Sequence, residues 1–246
     1  MAGGEPAKKS DLGVRTLSAI VMVGVAGAAL WLGGSAWIVF VGLVAAGVLW
    51  EWRRLVDGFG ASIMQRMAWN VGGIMYIGFA AAMLLALRGP QFPLTPILAI
   101  VLAVVATDIG AYFAGRTIGG SKIAPKISPS KTWAGLGGGI VGATLAIAAV
   151  TALAAHLQPD SAGGPVFSGA DSREAWRQAP TFGFFIAIIA QAGDFFESWM
   201  KRRAGVKDSS QLIPGHGGLF DRVDGLLAVL FVGGMLTAGT VLLGLG

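Results

Sequence analysis

The residues of this 246-residue chain that are best suited to chemistry are three carboxylates near its end, Asp194, Asp221 and Asp224. Asp221 and Asp224 stand three positions apart, so on one helical turn both side chains point the same way. Two or three carboxylates, together with the phosphates of a substrate, are a common way for proteins to hold Mg²⁺. The spacing therefore indicates an all-oxygen metal site on these three residues. A helix N-terminus stabilised by acidic side chains is the alternative interpretation.

Scarce residue types narrow the choice of metal and exclude other chemistries. The chain has no cysteine and two histidines, His156 and His216, which stand far apart in the sequence. Disulfides, thiolate catalysis and zinc–cysteine sites are therefore excluded, and so is a histidine-rich metal site. A metal would have to be held by oxygen, which favours Mg²⁺, Ca²⁺ or Mn²⁺.

Cations accompany these carboxylates in the same polar segments. They are Lys131, Lys201, Arg202, Lys207 and Arg222. Carboxylates with many cations at one membrane face suit a metal-bound polyphosphate beside an anionic lipid, although a general excess of Lys and Arg in cytoplasmic loops needs no site. Gly217 and Gly218 follow His216, and such glycines let backbone N–H groups approach phosphate oxygens closely. A simple turn would explain the glycines equally well.

Helical spacing groups further polar side chains. Asp194, Ser198 and Lys201 share one face of a predicted helix, and Asp108 and Tyr112 share a face of another. The apolar residues before Asp194 predict that it lies at the inner end of a membrane-spanning helix. An ionisable residue at membrane depth is energetically unfavourable, so Asp194 is a candidate functional residue. A structural ion pair between Asp194 and a neighbouring cation is the alternative, and a structural role is equally open for Asp108.

The elements that must position these residues are membrane-spanning helices. Charged residues make up only 13% of the chain and hydrophobic residues 54%, whereas a soluble domain carries about 25% charged residues. A crossing needs roughly 20 apolar residues, and Gly33-Gly34-Ser35 divides the charge-free run 16–50 into two short helices. The other spans are predicted near 69–87, 96–115, 134–157, 181–200 and 225–244. The sequence thus predicts an all-α, polytopic transmembrane bundle of about seven spans, and the GxxxG spacing of Gly138 and Gly142 predicts close helix packing.

The distribution of basic residues predicts the orientation of this bundle. All but three of the 18 Lys and Arg residues fall in the amino-terminal tail or in alternate loops, the exceptions being Arg88, Arg173 and Arg177. By the positive-inside rule the amino terminus is cytoplasmic. The segment 158–180 is predicted to be an irregular outer connector. We expect one integral-membrane domain over 1–246, with amino-terminal spans in 1–104, a catalytic region at the cytoplasmic face in 105–225 and a last span in 226–246.

The polar segments also carry a family resemblance. The segment Ser198–Asp224 resembles the signature of the phosphatidate cytidylyltransferases, also called CDP-diacylglycerol synthases. The residues that carry this resemblance include Lys201-Arg202, Lys207-Asp208 and Pro214-Gly-His216-Gly217-Gly218-Leu-Phe-Asp221-Arg222. The resemblance continues upstream in Gly193-Asp194 with Glu197-Ser198, in Ser128-Pro129-Ser130-Lys131-Thr132, and in Asp108, Tyr112, Gly115 and Arg116. The chain departs from the family pattern at Ser130, where the pattern has Lys, and at Ala134, where it has Glu.

The resemblance implies a reaction and its requirements. CTP and phosphatidate would give CDP-diacylglycerol and pyrophosphate in phospholipid biosynthesis, by Mg²⁺-dependent attack of the lipid phosphate on the α-phosphorus of CTP. The resemblance places metal binding on Asp194 and Asp221, with Asp224 beside them. Whether the site binds a second cation is left open. The partners implied are CTP, phosphatidate and membrane lipids, with no nucleic acid. A bacterial inner membrane with the active site facing the cytoplasm is expected, and a homodimer through a glycine-rich face is left open.

Two sets of site residues follow from the resemblance and the charge pattern. Catalytic roles are expected for Asp194, Asp221, Asp224, Lys201, Arg202, Lys207, Asp208, His216 and Arg222. Substrate contacts are expected for Ser128, Lys131, Thr132, Ser198, Gly217, Gly218, Asp108, Tyr112 and Arg116.

Three other functions compete with this one. Asp221-x-x-Asp224-Gly225-x-x-Ala228 also resembles the start of the CDP-alcohol phosphotransferase motif, but Val229 stands where that motif has Arg and no acidic residue follows, so this class is excluded. An anion transporter or channel fits poorly, because the polar residues cluster at the inner ends of the spans and no internal repeat is evident. A purely structural membrane scaffold would make no use of Asp194.

Overall fold

The part of the chain that the structure describes is a helical bundle with one small hairpin of strands. The structure, a computed structural model, describes residues 12–88, 94–157 and 172–243. Within these residues seven helices are long and apolar enough to cross a membrane. They are α1 Leu12–Leu32, α2 Gly34–Asp57, α3 Ile63–Ala86, α4 Thr95–Thr117, α5 Trp133–Leu157, α6 Ser172–Arg203 and α7 Phe220–Leu242. The predicted transmembrane bundle of seven spans is therefore confirmed.

The long apolar run at the start of the chain is divided where the sequence predicted. Gly33 separates α1 from α2 and has a φ of 62°, a left-handed conformation that a glycine adopts without strain. The guanidinium of Arg88 lies so close to Gly33 that a Cβ on Gly33 would come within 2.9 Å of Arg88 Nη2. Arg88 also donates a hydrogen bond to the Leu30 carbonyl at 3.1 Å. One arginine therefore caps the tight connection between the first two helices.

Three of the predicted helix boundaries were wrong. α3 begins at Ile63, before the predicted start near residue 69. α6 begins at Ser172 and contains Pro180, so residues 172–180 are helical and not part of an irregular connector. α7 begins at Phe220, before the predicted start near residue 225. A charge-free window marks the stretch that crosses hydrocarbon, whereas a helix continues into the polar residues on either side of it. The remainder of the predicted connector, 158–171, lies outside the described residues.

A short antiparallel hairpin connects α4 to α5 and was not predicted. Its strands are β1, Lys122–Ala124, and β2, Ser128–Thr132, paired with an irregularity between Lys122 and Ala124. Thr132 ends β2, and its Oγ1 accepts a hydrogen bond from Gly135 N at 3.0 Å. That contact satisfies a free N–H in the first turn of α5. The hairpin thus delivers β2 directly to the end of the bundle where α5 begins.

α4 and α5 pack with almost no side-chain separation. A Cβ on Gly138 would lie 2.5 Å from Gly110 O, and a Cβ on Gly142 would overlap Ala106 O. Such close approach of two backbones requires small residues on both helices. The close packing predicted from the GxxxG spacing is confirmed.

An aromatic cluster joins four helices beneath the polar end. Trp52 of α2 is 2% exposed, and its ring lies 5.8–6.4 Å from the rings of Trp69, Tyr76, Phe196 and Phe220. Its Nε1 donates to Trp69 O at 3.0 Å, so the buried indole N–H is satisfied. The cluster fixes the end of α6 and the start of α7 relative to α2 and α3.

The segments rich in Lys and Arg gather at one end of the bundle. Ser18, near the start of α1, contacts His216 of the α6–α7 loop at 2.8 Å. Lys131 of the hairpin forms an ion pair with Asp194 of α6, and the turn after α2 packs against Ala204. Common placement of the basic segments is what the positive-inside rule requires. Which face of the membrane this end occupies stays a prediction.

Candidate active site

Three carboxylates meet where the last turns of α6 approach the first turn of α7. Asp194, Glu197 and Asp224 each offer an oxygen, and these atoms all lie within 4.8 Å of one another. Asp194 and Glu197 are three positions apart on α6, so they share a face, and Asp224 is supplied by α7. Ser198 donates to Asp194 Oδ1 at 3.4 Å. The structure therefore brings Asp194 and Asp224 together as predicted and adds Glu197.

Two lysines are inserted among these carboxylates. Lys131, at the end of β2, forms an ion pair with Asp194 Oδ2. Lys201 lies 2.5 Å from Glu197 Oε2 and 2.6 Å from Asp221 Oδ1. Each cation therefore joins segments that are distant in the sequence, and together they offset part of the negative charge that three clustered carboxylates would create.

Asp221 lies beside that cluster, shares Lys201 with Glu197 and is fixed by hydrogen bonds of its own. Lys201 Nζ donates to Oδ1 at 2.6 Å, and the backbone and hydroxyl of Ser209 donate to Oδ2 at 2.9 and 2.8 Å. Gly218 N donates to the same oxygen at 2.8 Å. Both carboxylate oxygens are therefore satisfied by the protein, and the Gly218 N–H is directed to Asp221. In this arrangement Asp221 fixes the α6–α7 loop against the start of α7.

Lys131 lies outside the spans and keeps its charge. Burial disfavours the ammonium form, but the carboxylate of Asp194, supported by Asp108 and Asp224, outweighs it and holds the pKa of Lys131 above its usual range. The Lys131 side chain is 21% exposed and that of Asp194 25%. The pair is thus partly shielded from water, and a cation is maintained at the rim of the carboxylate cluster.

A cavity of about 590 Å³ opens onto the cluster. Its lining includes the predicted residues Asp108, Tyr112, Arg116, Lys131, Thr132, Asp194, Asp221 and Asp224, and also Lys122, Ser130 and Gln191. Arg116 donates to the Tyr112 hydroxyl at 2.7 Å. Ser128 is buried within β2. Helices α4, α6 and α7 and the hairpin therefore enclose one polar chamber with both signs of charge on its walls.

Five of the other predicted residues line a second cavity of about 620 Å³. Its lining includes Lys207, Asp208, His216, Gly217 and Arg222, together with Arg15 and Gln211. Arg202 is exposed at the end of α6 and lines neither cavity. Thirteen of the predicted site residues therefore line one or the other of two neighbouring cavities, and at the start of α7 Asp221 lines the first and Arg222 the second.

Sequence reasoning missed Glu51, which is fully buried. Ser209 Oγ and Ser210 Oγ donate to its carboxylate at 3.0 and 2.5 Å. Leu219 N and Phe220 N, at the start of α7, donate to it at 2.9 and 2.6 Å. A carboxylate is favourable at the positive end of a helix. Glu51 therefore ties the middle of the polar α6–α7 loop to the start of α7 from a neighbouring helix.

The fold and the site define a membrane-embedded protein whose carboxylates and cations converge at one end of a helical bundle. The model of the cytidylyltransferase family matches residues 60–238. A phosphatidate cytidylyltransferase of Brucella melitensis is 39% identical over 205 residues, which cover 79% of this chain and 69% of the relative. One of Rickettsia bellii is 35% identical over 225 residues, covering 89% and 88%, and one of Bacillus subtilis is 36% identical over 157 residues, covering 63% and 52%. The chain belongs to the cytidylyltransferase family.

Proposed function

We propose that this protein transfers a cytidylyl group from CTP to phosphatidate, giving CDP-diacylglycerol and pyrophosphate. The family membership and the names of its relatives support the reaction. One observation supports placing the reaction at the described site. Asp194, Glu197 and Asp224 converge there with two lysines, Lys131 and Lys201, at the end of a membrane bundle. A lipid phosphate and a water-soluble polyphosphate can both reach such a position.

The reaction places few acid–base demands on the protein. An oxygen of the phosphatidate phosphate forms a bond to the α-phosphorus of CTP, and the bond from that phosphorus to the oxygen of the leaving pyrophosphate breaks. A phosphate monoester has a second pKa of about 6, so the nucleophile is already an anion at neutral pH. The task of the side chains is to bring two polyanions together in line. Lys131 and Lys201 supply positive charge at the carboxylate cluster, and Tyr112 and Arg116 line the approach from α4.

The carboxylate cluster fits a divalent cation. Oxygens of Asp194, Glu197 and Asp224 lie within 4.8 Å of one another, and no described residue donates a hydrogen bond to the buried Oε1 of Glu197. Close oxygen donors with an unsatisfied member are suited to Mg²⁺. When bound there, Mg²⁺ would neutralise phosphate charge and orient the substrate oxygens. Asp221, the other predicted ligand, joins this group only by exchanging its present hydrogen-bond donors for the ion.

The first experiment measures pyrophosphate release by the detergent-purified protein with CTP, phosphatidate and Mg²⁺, and with each omitted in turn. We expect release only when all three are present. The matched pair of variants is Asp194→Asn and Asp57→Asn, since the Asp57 side chain is 67% exposed and its contact with Arg66 is 3.9 Å long. Asp194→Asn should lower the rate by more than the roughly 10- to 100-fold that loss of an outer partner of a metal ligand brings. Folded wild-type protein that releases no pyrophosphate would refute the proposed function.

Metal binding has a readout that does not depend on turnover. We expect Mg²⁺ to raise the thermal midpoint of the wild-type protein and EDTA to reverse that rise, because a ligand that binds only the folded state stabilises it. In Asp224→Asn the Mg²⁺-dependent rise should be lost, while Asp57→Asn keeps it. An equal rise in all three proteins would contradict the assignment of the ion to this cluster.

A further inference from the structure

The second cavity is lined by cations from three separate segments. Arg15 comes from the first turn of α1, Lys207 from the α6–α7 loop and Arg222 from the first turn of α7. Among the described residues that line this cavity, Asp208 is the one carboxylate. The lining therefore carries a net positive charge, in contrast to the carboxylate-rich cavity beside it. A concave surface of this charge favours a multiply charged anion.

α1 reaches this cavity through specific polar contacts. Ser18 Oγ lies 2.8 Å from His216 Nδ1 and 3.1 Å from Pro214 O. Because Ser18 engages Nδ1, a ligand would meet the ring of His216 through Nε2. Gly215 has a φ of 76°, and a Cβ there would come within 2.9 Å of Arg15 Cγ. The glycine therefore allows the loop to close against α1 and brings Arg15 to the cavity.

The two cavities are neighbours with opposite linings. Asp221 lines the first and Arg222 lines the second, although the two residues are adjacent on α7. Gly217 of the second cavity is so close to Asp221 that a Cβ on it would lie 3.0 Å from Asp221 Oδ2. The proposed reaction joins a triphosphate to a lipid phosphate, and the carboxylate cluster with its metal would engage only part of that charge. The remaining phosphate needs donors nearby, and the second cavity has them.

We propose that Arg15 completes, with Lys207, His216 and Arg222, a second phosphate-binding subsite that holds a phosphate group of one of the two substrates. The proposal rests on the proposed function and extends it to α1, which lies outside the residues 60–238 that match the family. The shared chemistry is a phosphate anion, supplied either by the pyrophosphoryl end of CTP or by the headgroup of the lipid. Arginine suits this task because its guanidinium donates two parallel hydrogen bonds to a phosphate.

The test compares Arg15→Ala with Arg53→Ala in the full-length, detergent-purified protein. Arg53 is an exposed residue near the end of α2 that lines neither cavity. Binding of inorganic pyrophosphate is measured by calorimetry, and binding of phosphatidate is measured in mixed micelles. The Michaelis constants for CTP and phosphatidate are measured in parallel. We expect Arg15→Ala to weaken the binding of one ligand about tenfold, because it removes at least one charge-assisted hydrogen bond. The binding affinities of Arg53→Ala should equal those of the wild type. Arg15→Lys, which keeps the charge, should recover part of the loss.

The pattern of change identifies the source of the phosphate. Weaker pyrophosphate binding with a raised KM for CTP assigns the subsite to the nucleotide, whereas weaker phosphatidate binding with a raised KM for the lipid assigns it to the headgroup. Unchanged binding of both ligands in a folded Arg15→Ala protein overturns the proposal. Because both binding measurements are independent of turnover, a wild-type protein that binds pyrophosphate but releases none from CTP would sink the proposed function and leave the subsite standing.

Discussion

At the scale of the single residue, Glu51 shows how a side chain outside the recognised signature can control it. Its carboxylate receives the hydroxyls of Ser209 and Ser210 and the first N–H groups of α7. The single hydroxyl proton of Ser209 is shared between Glu51 Oε2 and Asp221 Oδ2, and Asp221 in turn is bound by Lys201. One hydroxyl therefore lies between Glu51 and the residue that anchors the loop, so a change at Glu51 reaches the site without touching a substrate.

Replacing Glu51 by alanine should therefore reduce both stability and activity. Each buried polar group that loses its partner is destabilised by about 1–3 kcal/mol. Three groups, the Ser210 hydroxyl and the N–H groups of Leu219 and Phe220, would lose theirs, whereas Ser209 keeps Asp221. We expect a lower thermal midpoint and a lower kcat for Glu51→Ala, with partial recovery in Glu51→Gln because an amide oxygen still accepts. Asp57→Ala, on the same helix, is the control. A Glu51→Ala protein with wild-type kcat would show that the loop does not depend on this carboxylate.

A second prediction concerns the ion pair of Lys131 with Asp194. Lys131→Met should destabilise the protein by about 1.5–3 kcal/mol, the contribution of a hydrogen bond to a charged group, whereas Lys126→Met, in the exposed turn of the hairpin, should not. The folded-state pKa of Lys131 is raised, so the stabilisation is fully present below the unfolded value of about 10.4 and is lost as the pH rises through the folded value. The difference in thermal midpoint between wild type and Lys131→Met should accordingly be constant from about pH 6 to about pH 9. A difference that disappears within that range would contradict it.

At the scale of the element, the glycines of α5 make α4 and α5 one rigid unit that carries Asp108 and the hairpin. Gly137 and Gly138 provide a matched comparison, because a Cβ on Gly137 has open space whereas one on Gly138 would lie 2.5 Å from Gly110 O. We expect Gly138→Ala to lower the thermal midpoint and the activity together. Gly137→Ala should be neutral or stabilising by up to about 1 kcal/mol, since alanine favours a helix over glycine. Equal effects of the two substitutions would mean that the helices do not meet at Gly138.

The elements also show what the sequence can and cannot predict. Hydrophobic spans are local in sequence, so charge-free windows located all seven helices, and the glycine pattern located the α4–α5 contact. The hairpin was missed because Ser128–Thr132 has neither alternation nor a strong strand preference, and its pairing depends on β1. Glu51 was missed because it is a single carboxylate at the end of an apolar run, and its partners come from the α6–α7 loop. Glu197 lies in a segment that resembles the family, but the resemblance gives it no role, although its spacing from Asp194 places both on the same helix face.

At the scale of the whole molecule, the bundle separates its two ends by charge. The start of α1, the turn after α2, the hairpin and the α6–α7 loop meet at the end that carries both cavities. Arg88 lies at the other end, against the α1–α2 connection. CTP is a water-soluble nucleotide, so the proposed reaction requires the charged end to face the compartment that supplies it. The positive-inside rule and the proposed substrate therefore make the same prediction, a site that faces the cytoplasm.

The absence of cysteine makes that orientation directly measurable. Lys126→Cys places a thiol in the hairpin at the charged end, and His156→Cys places one at the exposed carboxyl end of α5. In intact bacterial cells that express the protein, a membrane-impermeant maleimide should label His156→Cys at once and Lys126→Cys only after the inner membrane is permeabilised. Neither position lines a described cavity, so pyrophosphate release by both variants should match wild type and show that the fold is kept. Labelling of Lys126→Cys in intact cells would invert the bundle and place both cavities on the side of the membrane away from CTP.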